Sequence, residues 1–251
     1  MSVSVPAARA EEARARMLEL FPDGFEEVER DDGVELVGYT DAGGEERMWH
    51  VFGNAAAHDV PSGWEERWRD FHKPVVVEGL WIGPPWETPP AGRPTVVIDP
   101  GRAFGTGAHA TTRLTLRLLN RLDRRGSLLD VGCGSGVLSI AAARLGFGPI
   151  SAIDIDAQAV AAALRNAAAN RVTLRARTAD ALVDELPAAN VAVANVTFEV
   201  VAAVALRLDV TRLVTSGYLV SDAAPPLPNF VHIARLTESG WAADAYARSA
   251  Q

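Results

Sequence analysis

Apolar residues recur along this chain with two different rhythms. From Thr95 onward, short apolar runs alternate with stretches of helical spacing. The runs are TVVID (95–99), SLLDV (127–131), PISAID (149–154), VTLRAR (172–177), NVAVAN (190–195) and RLVTSGYLV (212–220); the helical stretches are TTRLTLRLLNRL, GVLSIAAARLG, AQAVAAALRNAAAN and FEVVAAVALRL. Such alternation predicts an α/β domain over residues 95–251, with a mostly parallel sheet covered by helices on both faces. The last two runs, FVHIARLTES and GWAADAYARS, have no helix between them and are expected to close as an antiparallel pair.

Ahead of Thr95 the elements are shorter. EEARARMLEL has helical spacing and stops before Pro22, which cannot continue a helix with its nitrogen bonded. GFEEVER and GVELVGYT alternate on either side of Asp31, Asp32 and Gly33 and predict a β-hairpin, with RMWHVFG read as a third strand. Residues 1–60 are thus expected to form a small α+β domain. Residues 61–94 read as a linker, because PPWETPPAGRP, from Pro84 to Pro94, holds five prolines and ends any regular element.

Charge narrows the field of partners. Lys and Arg number 24 against 32 Asp and Glu, a formal charge of −8 with no basic run, which argues against direct nucleic-acid binding and suits a basic substrate. The single cysteine, Cys133, excludes an internal disulfide and fits a reducing compartment. No apolar run approaches a membrane span, and the first residues lack the charged-then-apolar order of a signal peptide, so the expected location is the cytoplasm. Nothing in the pattern sets an oligomeric state.

Two glycine-rich segments carry candidate chemistry. SLLDV ends at Asp130 and Val131 and turns through Gly132-Cys133-Gly134-Ser135-Gly136 into a helix. Glycines there admit positive φ and let a ligand approach the backbone, while the helix N-terminus offers unpaired N–H groups. The next strand ends in Asp154, from which a carboxylate can accept bonds from two ribose hydroxyls, so loop and acid together specify a nucleoside. A dinucleotide fingerprint would need glycine where Val137 stands, and no phosphate-binding G-x-x-x-x-G-K-[ST] occurs. Asp156 is expected to cap the following helix. The other segment, DPGRAFGTGAHATT (99–112), places Gly101, Gly105 and Gly107 around Phe104 and His109, ahead of a helix that Thr111 or Thr112 is expected to cap.

The order D-x-G-x-G-x-G followed by a strand-end acid resembles the first two motifs of class I S-adenosylmethionine-dependent methyltransferases. Together, WEERWRDFHKP, DPGRAFGTGAHATT, LLDVGCGSGVLSIAA, AIDIDAQAV and VAVANV resemble the PrmA family of bacterial ribosomal protein methyltransferases over about residues 64–220. The resemblance implies a Rossmann-like sheet whose last strand is antiparallel, behind an N-terminal domain that recognises the substrate. It also implies S-adenosylmethionine as cofactor, no metal, and amino groups of a large-subunit ribosomal protein, L11, as acceptor.

By that resemblance Thr112, Gly132, Gly134, Asp154 and Asn195 are cofactor contacts and Asp180 meets the adenine amino group. Phe104, Thr106 and His109 belong to the loop enclosing the methionine end. Asn195 is the catalytic residue that aims the target nitrogen; Val196-Thr197 follow it, the protein-amine pattern rather than the N-P-P-[YF] pattern of base-modifying relatives. No general base is assigned; His109 is a candidate, read first as structural. Ala110 departs from the family's usual proline, and SDAAPPLPNFVH is too short and proline-rich for the helix expected after the fifth strand. Another protein or a small amine as acceptor, or a cofactor-binding module without catalysis, are the alternatives.

Overall fold

The structure, a computed structural model, describes residues 1–21, 25–30, 32–38, 42–53, 55–56, 73–99, 107–123 and 125–249. The chain divides into two compact units, Met1–Trp68 and Arg69–Gln251.

The first unit holds β1 (Ser2–Pro6), α1 (Ala10–Leu20), β2 (Glu26–Arg30), β3 (Gly33–Val37) and α2 (Ala42–Phe52). Its strands form an antiparallel sheet in the order β1-β3-β2. Alternate residues Val3, Val5, Val34 and Leu36 point into a core completed by Met17 of α1 and Met48 of α2. The helix and hairpin lie where their spacing puts them. RMWHVFG, expected as a strand, instead contributes the last turns of α2: Met48 and Phe52, four residues apart, pack into the core while Trp49 stands exposed. The third strand is β1, whose Ser-Val-Ser-Val alternation the expectation passed over.

In the second unit, β4 (Val75–Val77), β5 (Leu80–Gly83) and β6 (Thr95–Val97) form a small sheet in that order. There follow α3 (Ala110–Arg121), β7 (Leu128–Val131), α4 (Val137–Arg144), β8 (Ile150–Asp154), α5 (Ala157–Ala169), β9 (Leu174–Thr178) and β10 (Val191–Asn195). The chain continues through α6 (Phe198–Ala205), β11 (Arg212–Leu219), β12 (Phe230–Glu238) and β13 (Trp241–Arg248). The large sheet runs β12-β13-β11-β10-β7-β8-β9; β7 to β11 are parallel and β13 is antiparallel to both its neighbours. One face, with Leu128, Val191 and Val214, packs on Leu114 and Leu118 of α3 and Ile140 of α4. The other, with Leu129, Ala192, Leu213 and Tyr246, packs on Val201 and Val204 of α6. This is the expected α/β architecture, with the antiparallel closing pair.

The stretch expected as a linker departs from that reading. Val77, Leu80 and Ile82 lie in the same core as the large sheet, and the proline run Pro84–Pro94 joins β5 to β6. TVVID likewise pairs with β5 instead of entering the large sheet. Its outer edge is held by Asn170 of α5, whose side chain accepts from Val97 N at 2.8 Å and donates to Val97 O at 2.6 Å. Between β11 and β12 a proline-rich loop stands in place of a helix; Leu227 joins the core there, and the Tyr246 hydroxyl donates to Pro225 O at 3.1 Å. Among the described residues no helix is long and apolar enough to cross a membrane.

Candidate active site

The chemistry predicted from the glycine loop lies at the carboxyl edge of the parallel strands, where open α/β sheets bind ligands. Gly132, Gly134 and Gly136 all take positive φ, +72°, +52° and +80°, and wind the chain tightly from β7 into α4. Gly132 N and Cys133 N both donate to Ile153 O, at 2.9 and 3.1 Å, and this stitches the loop to β8. A Cβ at Gly136 would come within 3.0 Å of Ala163 Cα, so only glycine lets α4 begin against α5.

Asp154, at the end of β8, is fixed by the backbone alone. Gly134 N donates to its Oδ2 at 2.9 Å and Asp156 N to its Oδ1 at 3.0 Å. Each oxygen keeps a further lone pair, and the side chain is half-buried rather than sealed. Asp156 caps α5 as expected, accepting from Gln158 N at 2.7 Å. Asp180 follows β9, the neighbour of β8, immediately after Ala179 N bonds Asp154 O; its Oδ1 accepts from Leu182 N at 2.8 Å.

Asp130, two residues ahead of the loop, is a residue that the sequence reading assigned no role. Its carboxyl is fully buried; Oδ2 accepts from Ser139 Oγ at 2.7 Å, and Oδ1 has no hydrogen-bond partner among the described residues. Burial drives its pKa up to about 6 against the hydrogen bonds from Ser139, with a smaller push from the Asp154 charge. Burial, and then the Asp130 and Asp154 charges, also push the Cys133 thiol upward, which disfavours its thiolate form.

Asn166 was also passed over. Buried on α5, its Oδ1 accepts from Asp99 N at 3.1 Å while its Nδ2 donates to Ser135 O at 2.9 Å. One amide therefore ties the start of the 99–112 segment to the glycine loop. Two asparagines at positions 166 and 170 of an alanine-rich helix were the available signal, since buried amides need partners. Phe104 and Thr106 lie outside the described residues.

The segment re-enters at Gly107, with φ +87°, where a Cβ would stand 2.5 Å from Ile82 Cγ2. The N-cap of α3, expected from Thr111 or Thr112, is supplied by His109, whose Nδ1 accepts from Thr111 N at 3.4 Å. Thr111 and Thr112 are both buried within the first turn. His109 also meets the Trp241 ring edge-on at 4.9 Å. Burial first, and then Arg113, hold its imidazole below the ordinary histidine pKa. Arg113 bonds Ala108 O and Glu238, and Arg117 bonds the other oxygen of Glu238, which fastens the start of α3 to β12. Burial alone would raise the Glu238 carboxyl; Arg113 and Arg117 outweigh it and hold it low.

Asn195 ends β10, which neighbours β7, so it shares the edge with the glycine loop and Asp154. Its Nδ2 donates to Thr111 Oγ1 at 3.1 Å, and Thr111 Oγ1 lies 2.8 Å from His109 Nδ1. Of the predicted residues, Gly132, Gly134, Asp154, Asp180 and Asn195 meet on one strand edge, with His109 and Thr112 on the helix turn beside Asn195.

Residues 31–222 match the family model described as Ribosomal protein L11 methyltransferase (PrmA). The chain is 45% identical over 143 residues to a ribosomal protein L11 methyltransferase of Psychrobacter arcticus, across 53% of this chain and 46% of that one. With the Yersinia pseudotuberculosis protein of the same name it shares 42% identity over 172 residues, 64% of this chain and 58% of the relative. A crystal structure of the ribosomal protein L11 methylase of Lactobacillus delbrueckii subsp. bulgaricus aligns with a TM-score of 0.62 at 28% identity, covering 69% of this chain and 96% of that one. The chain spans about half the length of the curated relatives it matches. It belongs to the PrmA family.

Proposed function

We propose that the chain is an S-adenosylmethionine-dependent N-methyltransferase acting on protein amino groups, with lysine side chains or the N-terminal amine of ribosomal protein L11 as acceptors. The observation that carries this reading is the convergence of the Gly132–Gly136 loop, Asp154 and Asn195 on the ends of adjacent parallel strands. The donor chemistry fits the cofactor. A ribose offers two vicinal hydroxyl donors, and each Asp154 oxygen, already holding one backbone N–H, retains a lone pair for one of them. The buried Oδ1 of Asp130, without a partner among the described residues, is the matching acceptor for the cationic amino end of the cofactor.

In this reading Thr112, Gly132 and Gly134 line the cofactor, Asp180 meets the adenine amino group, and Phe104, Thr106 and His109 enclose the methionine end. Residues 95–251 carry catalysis and residues 1–60 recruit the substrate. When bound, the cofactor supplies a methyl group already activated by a sulfonium. What remains for the protein is to hold a neutral amine in line with it, in an ordered site. Asn195 Oδ1 accepts a hydrogen bond from that amine and directs its lone pair. Neutralising a lysine at pH 7 costs about 4 to 5 kcal/mol, and an N-terminal amine only about 1 kcal/mol. The negative net charge suits a basic ribosomal protein as partner, and the cytoplasm is the compartment in which the two would meet.

The test is to incubate the chain with labelled S-adenosylmethionine and purified ribosomal proteins and weigh each intact. L11 is expected to gain whole methyl increments. Cofactor binding without methylation of any ribosomal protein overturns the substrate; absence of cofactor binding overturns the site.

A further inference from the structure

Thr111 has a role that its place in the motif did not suggest. Its hydroxyl lies between two side chains, 2.8 Å from His109 Nδ1 and 3.1 Å from Asn195 Nδ2. A hydroxyl has one proton to donate. Since the Asn195 amide nitrogen can only donate, Thr111 Oγ1 accepts there, and its own proton goes to His109 Nδ1. The backbone N–H of Thr111 points at the same nitrogen at 3.4 Å, which requires a lone pair on Nδ1. These contacts match the neutral tautomer of His109 protonated on Nε2. Asn195 Oδ1 is left without a protein partner among the described residues, at the strand end where the amine is to be received.

We infer that His109 and Thr111 are positioning residues that set which end of the Asn195 amide faces the acceptor nitrogen. The inference rests on the methyltransferase reading above. A proton on Nδ1 would reverse the run: His109 would donate to Thr111, Thr111 to Asn195 Oδ1, and the amide would turn its NH₂ outward. An outward NH₂ donates into the lone pair of the amine instead of accepting from its N–H, and so blocks the nucleophile. The surroundings of His109 favour the neutral ring. Arg113 on its own helix carries a positive charge beside it; Glu238 of β12 is engaged by Arg113 and Arg117; and β13 presents the uncharged Trp241.

Two measurements on the whole chain test this. In ¹⁵N NMR of the histidine-labelled protein, His109 is expected as the Nε2–H tautomer at neutral pH; an Nδ1–H tautomer overturns the proposal. In steady-state methyl transfer from S-adenosylmethionine to purified ribosomal protein L11, Thr111→Val keeps the shape and loses the hydroxyl. It is expected to lower kcat on the order of 10- to 100-fold through misplacement of the amine. KM and calorimetric cofactor affinity stay within about twofold, and Thr111→Ser restores most of the rate. A Thr111→Val chain with wild-type kcat, or a Thr111→Ser chain as slow as Thr111→Val, overturns the proposal alone. A wild-type chain that binds cofactor and transfers no methyl group to L11 overturns the acceptor named above, and this inference with it.

Discussion

The two halves of the large sheet hold their polar groups in different ways. In the half made of β7, β8 and β9, the bonds are close by in sequence: Asp154 takes Asp156 N two residues on and Gly134 N twenty residues back, and Asp130 takes the Ser139 hydroxyl nine residues on. In the half made of β10, β11, β13 and β12, side chain bonds to side chain over long separations. Asn195 and Thr111 are 84 residues apart, Glu238 and Arg113 are 125, and Asp244 and Tyr218 are 26. A loop whose own amides do the binding can be specified by a short motif. A network of distant side chains is specified only once the fold is complete.

The two buried aspartates sharpen this contrast and give the largest expected effects. Asp244, in β13, is fully buried and accepts from Tyr218 at 2.8 Å; its other oxygen lies 2.7 Å from His232 Nε2, and Arg235 stands 3.9 Å away. Asp244→Ala strips all three partners and is expected to cost about 3 to 5 kcal/mol in denaturant unfolding, as for other buried ionic groups that lose a partner. A loss below about 1 kcal/mol would mean water replaces the carboxylate, against the burial of this strand.

Asp130 is the opposite case, buried with one oxygen unmatched among the described residues. Its folded pKa of about 6 lies above the ordinary 3.8, so the neutral form is favoured by folding. That stability is complete below pH 4 and is lost as pH rises through about 6. In the protein without cofactor the loss amounts to about 3 kcal/mol by pH 7, and Asp130→Asn is expected to abolish this part of the pH dependence. Identical unfolding profiles for the two chains between pH 4 and 7 would count against the buried, unmatched carboxyl. If the cationic end of the cofactor meets Asp130, calorimetric affinity should fall as the pH drops below about 6, and Asp130→Asn should remove that fall.

Next in size is Asn195→Ala, expected to slow methyl transfer about 100-fold while calorimetric cofactor affinity changes little, because misplacing an amine by about an ångström costs on that order. Unaltered turnover would move the acceptor-directing role off β10.

The same division explains what was legible in the sequence. The glycine spacing, the strand-end Asp154 and the helix cap Asp156 are local arrangements, and each lies where its neighbours put it. The α3 cap was misjudged because two threonines are good caps in isolation, whereas the fold turns His109 Nδ1 onto the first free amide and takes Thr111 for Asn195. RMWHVFG has the aromatic and β-branched residues of a strand, yet its fate was decided by Met48 and Phe52 reaching a core built with Met17. The proline run masked VVV and LWIG just before it, which are strands because β6 returns to pair with β5.

The smallest effect tests the local half most directly. Asp154→Ala is expected to weaken cofactor affinity by about 1 to 3 kcal/mol, since two ribose hydroxyls lose their acceptor. Asp154→Asn separates geometry from charge. An asparagine there has one acceptor oxygen for two inward-facing donors, Gly134 N and Asp156 N, so its NH₂ must confront one of them. The near-isosteric variant should then bind cofactor no better than Asp154→Ala. Wild-type affinity in Asp154→Asn would mean that shape alone makes the pocket, and wild-type affinity in both variants would place the nucleoside away from β8.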